Sequence, residues 1–276
     1  MAFDSAAPAR AFVGARRSGA GLSDYPGPHP TDMAQAYQVQ DAAIALHGDA
    51  LAGWKIGRIG QDVERWGADR LAGPVFRRKL WTADDTAAAH PPVFRDGFAA
   101  VEAEFVLRIG RDADPSRTEW TREDAAAMVS EMRLGMEIAS SPLPSINDHG
   151  PAVTASDFGN NNGLILGAEI ADWRERDEAD LPCETLIDDQ VVGRGTAASI
   201  PGGPVGALAF LLGLCARRGR PLTEGLWITT GAATGVHPIR LGQSAAVRFP
   251  GYGEIRCTPV AAQDETHGRP NGRTPG

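Results

Sequence analysis

The sequence predicts a mixed, β-rich α/β fold, and two observations support this prediction. Segments with strand-like alternation outnumber long helical segments, and the two kinds do not follow each other regularly along the chain. Regular alternation would favour a doubly wound parallel sheet, whereas this order favours mixed sheets with flanking helices. With 276 residues, 42% of them hydrophobic, the chain is long enough to bury a sizeable core.

Helices are predicted where a capping residue precedes a spaced apolar pattern and a stop signal follows it. Thr31 can cap a helix that ends before Gly48, and Thr121 begins a capping-box pattern. Pro204 occupies a first-turn position ahead of an apolar stretch that Gly219 stops. The predicted helices cover residues 9–17, 31–47, 121–131 and 204–218.

Strands are predicted where apolar residues alternate with polar ones or form short runs between turn residues. The predicted strands lie within residues 51–57, 101–110, 133–140, 163–167, 187–195, 226–235 and 245–260. Residues 58–100 are rich in turn formers and are predicted to be irregular. Because there is no repeat and no long linker, we expect one domain over residues 1–261. Its first 30 residues form an arm with a short helix, and residues 262–276 form a disordered tail.

Composition and charge exclude several classes of protein. The 27 basic and 35 acidic residues give a net charge of −8 without any basic stripe, which argues against a nucleic-acid partner. The longest mostly apolar run, residues 205–216, is too short to span a bilayer, and the N-terminus lacks an apolar signal core. Three widely spaced cysteines argue against disulfides and fit a reducing compartment. We therefore expect a cytoplasmic protein with no membrane partner that binds or converts a small molecule.

The strand VEAEFVLRIG (101–110) carries two glutamates on one face. Residues i and i+2 of a strand point the same way, so Glu102 and Glu104 project together, about 7 Å apart along the chain. Glu137 lies inside another apolar strand. Three buried carboxylates need a cation or protons, and oxygen ligands without His or Cys suit Mg²⁺ or Mn²⁺. The alternative is that each glutamate is separately exposed to solvent.

Lys55, at the centre of GWKIG (53–57), is a candidate general acid or base. A lysine between apolar residues of a strand can be buried, which lowers its pKa toward the range that proton transfer requires. The alternative is a lysine on an edge strand that discourages aggregation.

Two loops supply further candidate site residues. In DFGNNNGLILG (157–167), Asp157 is either a proton-transfer group or a turn cap, and Asn161 belongs to a hydrogen-bonding wall ahead of a strand. In TTGAATGVHP (229–238), the backbone amides at Thr230 and Gly231 can approach a carboxylate ligand. A loop that needs positive φ angles explains the glycines of the second segment equally well.

Seven segments together resemble a known family in the same order along the chain. They are AYQVQ (36–40), GWKIG (53–57), VEAEFVLRIG (101–110), MEIASS (136–141), residues 157–167, RGRPLTEGLWITTGAATG (218–235) and GYGEI (251–255). The set resembles the 2-keto-4-pentenoate hydratase group of the fumarylacetoacetate hydrolase (FAH) superfamily, which also includes 4-oxalocrotonate decarboxylases. The resemblance runs from about residue 8 to residue 260.

The resemblance implies that the domain over residues 1–261 is catalytic and has a FAH-like fold of strongly twisted mixed sheets with flanking helices. It also implies a divalent metal, usually Mg²⁺ or Mn²⁺, and a homo-oligomer. The family's metal ligands map onto Glu102, Glu104 and Glu137, and its proton-shuttling lysine maps onto Lys55. It further implies a lyase of the hydratase type from aromatic catabolism. Such an enzyme adds water to a 2-hydroxydienoate or 2-oxo-enoate by way of an enolate that the metal stabilises.

The chain departs from the hydratase pattern at several positions. Where hydratases carry an acid downstream of the lysine, this chain has Leu71, and the nearest acid is Asp69. His149 stands where hydratases have an aromatic residue and can replace the missing acid or base. Decarboxylases of the family also lack that acid.

The departures leave several alternatives to a hydratase. The first is a 2-oxo acid decarboxylase, and the second is a C–C hydrolase of acylpyruvates. The third is a non-catalytic, metal-binding partner subunit, since decarboxylases of this family work in complex with a hydratase. A complex with such a pathway partner is therefore a further expectation.

Overall fold

A large curled mixed sheet lies at the centre of the molecule. The computed structural model describes residues 3–83 and 88–264 of the chain. Within these residues the α-helices are α1 (Ala6–Ser18), α2 (Met33–His47), α3 (Val63–Trp66), α4 (Arg122–Ala126), α5 (Pro151–Ser156) and α6 (Gly203–Arg217). Short 3₁₀ turns lie at Arg77–Lys79, Phe158–Asn160, Glu178–Asp180 and Ala197–Ser199.

The strands of the described residues fall into three sheets. They are β1 (Leu51–Arg58), β2 (Arg70–Phe76), β3 (Leu80–Thr82), β4 (Pro92–Val93), β5 (Phe98–Ile109), β6 (Val129–Ser141), β7 (Asn161–Glu169), β8 (Pro182–Ile187), β9 (Gln190–Thr196), β10 (Trp227–Thr229), β11 (His237–Pro238), β12 (Ala245–Phe249), β13 (Gly253–Cys257) and β14 (Val260–Ala261).

The central sheet has the strand order β2-β1-β10-β5-β6-β7-β3, and β11 pairs with β5 outside this path. Most neighbours are antiparallel, but β1 pairs with β10, and β3 with β7, in parallel. A second, antiparallel sheet has the order β13-β12-β8-β9, and β14 pairs with β4 in a two-stranded sheet. The fold class is therefore the predicted β-rich α/β class.

The main apolar core lies against the central sheet. Alternation along β5 directs Val101, Ala103 and Phe105 into this core, and all three are fully buried. The opposite face of β5 carries the two glutamates, so one strand separates the core from the candidate site. No helix among the described residues is both long and apolar enough to cross a membrane.

Several predicted boundaries are confirmed and others are wrong. The helix over 31–47 is present, with Asp32 rather than Thr31 as its cap. The helix predicted over 121–131 has the expected Thr121 cap but ends at Ala126, because the chain enters β6 at Val129 and pairs with β5.

The region over residues 58–100 was wrongly predicted to be irregular, whereas the strand predicted over 187–195 is largely confirmed. Residues 58–100 contain α3, β2, β3 and β4. Strands β3 and β4 are very short and pair with strands far along the chain, whereas β2 pairs with the preceding strand β1. The strand predicted over 187–195 is β9, which forms an antiparallel hairpin with β8 through Asp188 and Asp189, both at positive φ. Most of the predicted tail, residues 265–276, lies outside the described residues, so the division into a domain over 1–261 and a tail stays a prediction.

Candidate metal centre and active site

Three glutamates meet on one face of the β5–β6 pair. The antiparallel register places Glu102 directly opposite Glu137, and Glu104 lies two residues along β5 on the same face. One carboxylate oxygen from each residue lies within 4.8 Å of the others. All three side chains are buried, Glu104 and Glu137 completely. The solvent-exposed alternative for these glutamates is therefore wrong.

A glycine on β6 makes room for this cluster. Gly135 lies opposite Glu104 in the register, and a Cβ at this position would come 2.2 Å from Val106 Cγ2 and 3.4 Å from Glu104 Cβ. A side chain here would force β5 and β6 apart or displace Val106. The absence of a side chain at residue 135 therefore allows the close approach of the two strands at the carboxylates.

Backbone and side-chain donors orient two of the carboxylates. The amides of Thr230 and Gly231 donate to Glu104 Oε2 over 2.9 and 2.7 Å. The hydroxyl of Thr229 donates to Glu137 Oε2 over 3.2 Å, and Asn161 Nδ2 donates to Glu137 Oε1 over 3.0 Å. Both carboxylates thereby have fixed orientations before any ligand binds.

These contacts differ from those predicted for the same residues. We expected the amides of Thr230 and Gly231 to meet a substrate carboxylate, but in the structure they bind a carboxylate of the protein, because the loop after β10 folds over Glu104. Asn161 likewise contacts Glu137 rather than an open wall of the site. Their assignment to substrate binding stays a prediction, and Thr229 is a site residue that the sequence reading missed by one position.

Lys55 completes the charged cluster. It lies on β1 in register with Thr229 of β10, and its Nζ is 3.3 Å from Glu137 Oε1. Only 4% of Lys55 is exposed, and β1 has strands on both sides, so the edge-strand alternative is wrong. Burial alone would lower the pKa of Lys55, but the charges of Glu137 and the other two glutamates outweigh burial and raise this pKa. The pKa shift is thus opposite to the one expected from the sequence.

Burial and the neighbouring charges also raise the pKa values of two of the carboxylates. Burial raises the pKa of Glu102 to about 7. The positive charge of Lys55 opposes this rise, and the negative charge of Glu137 adds to it. Burial and the two neighbouring glutamates raise the pKa of Glu104 well above its usual value. Glu104 Oε1 is also buried and has no hydrogen-bond partner. Burial of an unpaired carboxylate oxygen is costly, and a cation removes that cost.

The residues present therefore fit a divalent cation. The three carboxylates offer oxygen atoms at short mutual distances, one of them without a partner, and no histidine or cysteine belongs to the cluster. Hard divalent cations such as Mg²⁺ prefer such a donor set. Glu102, Glu104 and Glu137 are the residues that would hold the ion.

His149 lies apart from the carboxylate cluster. Its Nε2 is 2.9 Å from Ser145 Oγ, and its ring packs edge-on against His29 at 4.8 Å. Both rings line an open cleft of about 680 Å³, which Leu71 also lines. Leu71 is buried and borders Gly57 together with Lys55 Nζ, so the cleft approaches the lysine from this side. The catalytic assignment of His149 stays a prediction.

The acid closest in sequence to Leu71 does not reach the site. Asp69 pairs with Arg70 over 2.6 Å, and half of its side chain is exposed. The position that carries an acid in hydratases therefore presents a hydrocarbon surface next to Lys55 in this chain.

Asp157 is fully engaged by other residues. Arg16 Nε and Nη2 donate to its two carboxylate oxygens over 2.6 and 2.9 Å, and Ser141 Oγ donates over 2.6 Å. Sequence reasoning did not single out Arg16. Its spacing of four residues from Phe12 and seven from Ala9, on the buried face of α1, was the signal that could have found it.

Comparisons with known proteins agree with the resemblance seen in the sequence. No protein-family profile matches the chain. The chain is 30% identical to a 4-oxalocrotonate decarboxylase from Pseudomonas sp. over 203 residues, covering 73% of this chain and 72% of the relative. It is 26% identical to 2-keto-4-pentenoate hydratase 2 of Dechloromonas aromatica (strain RCB) over 228 residues, covering 81% and 85%.

The fold is also that of a solved relative. The structure of 4-oxalocrotonate decarboxylase from Pseudomonas putida G7, complexed with magnesium and adipate, aligns with a TM-score of 0.77 at 20% identity. The alignment covers 93% of this chain and 97% of that one. The structural alignment and the sequence matches lead to the same family. This chain belongs to the 2-keto-4-pentenoate hydratase and 4-oxalocrotonate decarboxylase group of the FAH superfamily.

Proposed function

We propose that this protein is a divalent-metal-dependent lyase that acts on small 2-oxo acids, of the hydratase type. The observation that carries the proposal is the buried cluster of three glutamates with Lys55 ion-paired to one of them. Relatives named as hydratases and decarboxylases of such acids support it. We propose Mg²⁺ or Mn²⁺ as the ion, because the donors are all carboxylate oxygens.

A bound divalent cation would act as a Lewis acid toward the carboxylate and keto oxygens of a 2-oxo acid. The protein's own residues prepare the site for that role. Thr229 and Asn161 fix the orientation of Glu137, and the amides of Thr230 and Gly231 fix that of Glu104. Lys55 holds a proton at Nζ beside Glu137, where it can be given to a substrate carbon or oxygen.

In the hydratase reaction, water adds across the carbon–carbon double bond that is conjugated to the keto group of the 2-oxo acid. The oxygen of water bonds to one carbon, and a proton is delivered to the other. Lys55 is the buried proton carrier next to the cluster, so we assign this proton transfer to it.

A decarboxylase is the second candidate, and Leu71 favours it. Loss of CO₂ breaks a carbon–carbon bond and needs no activated water, and an apolar surface discourages water from entering. Leu71 provides such a surface beside Lys55, at the position where hydratases carry an acid. The relative that is 30% identical is a 4-oxalocrotonate decarboxylase.

A direct assay separates the two reactions. The purified protein is incubated with Mg²⁺ or Mn²⁺ and either a 2-hydroxydienoate or a 2-oxo-enedioate, while loss of conjugated absorbance and CO₂ release are recorded in parallel. Absorbance loss without CO₂ indicates the hydratase, and stoichiometric CO₂ indicates the decarboxylase. An acylpyruvate is tested in a third incubation, and its cleavage would instead indicate the C–C hydrolase. Ion binding without turnover of any substrate would overturn the enzymatic proposal in favour of a partner subunit.

Lys55→Met tests the assigned role of the lysine. We expect this variant to bind Mn²⁺ and to lose turnover by about 10²- to 10⁴-fold, because a proton carrier has been removed. Lys79→Met is the matched control, since Lys79 is the only other lysine in the chain and is not part of the cluster. Full activity of Lys55→Met would remove Lys55 from the reaction.

Three further expectations remain proposals. We propose that the protein forms a homo-oligomer, alone or together with a pathway partner enzyme, and that it acts in aromatic catabolism. We also propose a cytoplasmic location, which the three buried, unpaired cysteines support. Light scattering of the purified protein, alone and mixed with a hydratase from the same pathway, tests the assembly.

A further inference from the structure

Arg16 is a buried arginine to which the reaction described above gives no role. It lies in α1, on the helix face that carries Ala9 and Phe12, and only 8% of it is exposed. Its guanidinium lies over the ring of Phe158, 4.9 Å from the centroid, and 5.7 Å from that of Phe94. A charge this deeply buried is unfavourable unless it is fully paired.

The guanidinium is paired almost entirely with one short segment, residues 157–162. Nε and Nη2 donate to the two carboxylate oxygens of Asp157, over 2.6 and 2.9 Å. Nη1 donates to the carbonyl of Asn161 and to Oδ1 of Asn162, each over 3.1 Å. Nη2 also lies 3.2 Å from the carbonyl of Ser140 on β6. The planar fork of arginine makes all these bonds at once, which the single ammonium of lysine cannot do.

The segment that Arg16 binds has an unfavourable backbone conformation. Phe158, Gly159 and Asn160 have consecutive φ angles of 57°, 63° and 56°. The left-handed region is disfavoured for side chains such as phenylalanine, so this conformation persists only where the surroundings fix it. Close packing of the turn against β2 helps to fix this conformation. The two backbones are so close that a Cβ at Gly73 would come 1.9 Å from the carbonyl oxygen of Phe158.

The same segment contacts two members of the candidate site. A Cβ at Gly159 would lie 3.1 Å from Lys55 Cδ, so the backbone of the turn packs against the lysine stem. Asn161 donates to Glu137 Oε1 over 3.0 Å. A change in the turn therefore displaces both the proposed proton carrier and a proposed metal ligand.

We propose that Arg16 is a positioning residue, which holds the 157–162 turn in its left-handed form and thereby fixes Lys55 and orients Glu137. The metal and reaction parts of this role rest on the proposed function. In this proposal Asp157 serves as the anchor of Arg16. This role replaces the proton-transfer role that we predicted for Asp157 from the sequence.

Mn²⁺ affinity, measured by calorimetry, tests the proposal without any substrate. We expect Arg16→Met to bind Mn²⁺ about 10- to 100-fold more weakly, because an outer residue that orients a ligand has been disconnected. Arg17→Met is the matched control and should leave the affinity unchanged. Arg17 is the adjacent arginine, but it binds the exposed carbonyls of Leu46 and His47 at the end of α2. If Arg16→Met does not fold, Arg16→Lys replaces it, because lysine retains the charge but not the fork.

Three readouts separate positioning from general stabilisation. Millimolar methylguanidinium should restore Mn²⁺ affinity to Arg16→Ala, since it can occupy the space of the missing fork, and should leave Arg17→Ala unchanged. Asn161→Leu, which removes the link to Glu137, should weaken Mn²⁺ to a similar extent, and combining it with Arg16→Met should add little further loss. Amide hydrogen exchange within 157–162 should accelerate in Arg16→Met.

Unchanged Mn²⁺ affinity in a folded Arg16 variant would overturn the proposal. Losses that methylguanidinium does not rescue, and that add fully to those of Asn161→Leu, would also overturn it in favour of a purely structural role. Failure of the proposed function gives a different result, in which wild-type protein binds Mn²⁺ with the same dependence on Arg16 but turns over no 2-oxo acid. If that function holds, Arg16→Met should lower kcat more than it raises KM, because the lysine stem is displaced.

Discussion

Glu104 occupies a position in which a carboxylate is difficult to keep charged. Its side chain is completely buried, Oε2 accepts from two backbone amides, and Oε1 has no partner. Glu102 and Glu137 add two like charges nearby, against one lysine. Such a residue destabilises the ion-free protein and becomes favourable when a cation binds.

Glu104→Gln should therefore have opposite effects on binding and on stability. The amide oxygen can still accept from the amides of Thr230 and Gly231, but one negative charge is removed. We expect Mn²⁺ binding to be lost, and the free energy of unfolding of the ion-free protein to rise by about 1–3 kcal/mol. Calorimetry with Mn²⁺ and urea unfolding in a chelator measure the two quantities.

Glu131→Gln serves as the control for that experiment. Glu131 lies on β6, as Glu137 does, but pairs with Arg108 and Arg133 outside the cluster. Its replacement should leave Mn²⁺ binding intact. Unchanged Mn²⁺ binding in Glu104→Gln would show that the three-glutamate site is wrong.

The raised pKa of Glu102 predicts a pH dependence of metal binding. This pKa is about 7, so below pH 7 a proton occupies the carboxylate and the metal ion has to displace it. Apparent Mn²⁺ affinity should fall by up to about tenfold for each pH unit below 7, because a proton then has to leave Glu102. Calorimetry in buffers of different ionisation enthalpy should detect proton release at pH 6 and less at pH 8. Affinity that is flat between these values would contradict the assignment of Glu102 as a ligand.

At the scale of the element, the β5–β6 pair shows how far the sequence could predict the site. Period-two alternation correctly predicted that Glu102 and Glu104 share a face. It could not give the register that sets Glu102 opposite Glu137, because register depends on pairing across the sheet. The same pairing ends the helix after Thr121 early. Burial of β6 in the sheet stabilises the chain more than local helix propensity does.

The end of α2 carries a histidine that should make stability depend on pH. His47 packs against the rings of Phe76 and Phe158, at 4.0 and 5.5 Å, and its Nδ1 is buried without a partner. Burial, with a smaller contribution from the Arg16 charge, lowers the pKa of His47 to about 4. The unfolded chain takes up this proton near pH 6.5, so folding stability is lost as the pH falls from about 6.5 to about 4.

Replacement of His47 measures this contribution. His47→Phe keeps an aromatic ring between the phenylalanines and removes the titration, so its stability relative to wild type should increase by about 2 kcal/mol between pH 7 and pH 4.5. Parallel profiles for wild type and His47→Phe in urea unfolding would contradict the prediction.

At the scale of the whole molecule, the fold class was predictable and its connections were not. The alternating and apolar runs gave the long strands of the central sheet. Strands β3 and β4 have three and two residues and pair in parallel with β7 and β14, far along the chain, so no local pattern marks them. The contact of Arg16 with Asp157 is also non-local, across 141 residues, and brings the N-terminal helix to the site.

The carboxylate cluster also links ion binding to the stability of the whole chain. Lys55 on β1, Glu104 on β5, Glu137 on β6 and Asn161 on β7 come from separate parts of the sequence, so the unfolded chain does not form the site. An ion that binds only the folded state at 100 times its Kd stabilises that state by about 2.7 kcal/mol. For a chain of this size we expect Mn²⁺ to raise Tm by about 5–10 °C.

Scanning calorimetry with increasing Mn²⁺ tests this linkage. The shift in Tm should grow with the logarithm of the free ion concentration above Kd, and a chelator should reverse it. In Glu104→Gln the shift should vanish while the ion-free Tm lies above that of wild type, because the repulsion that the ion relieves has already been reduced. An equal shift in wild type and Glu104→Gln would mean that Mn²⁺ stabilises the protein from another site, and that the three glutamates do not hold it.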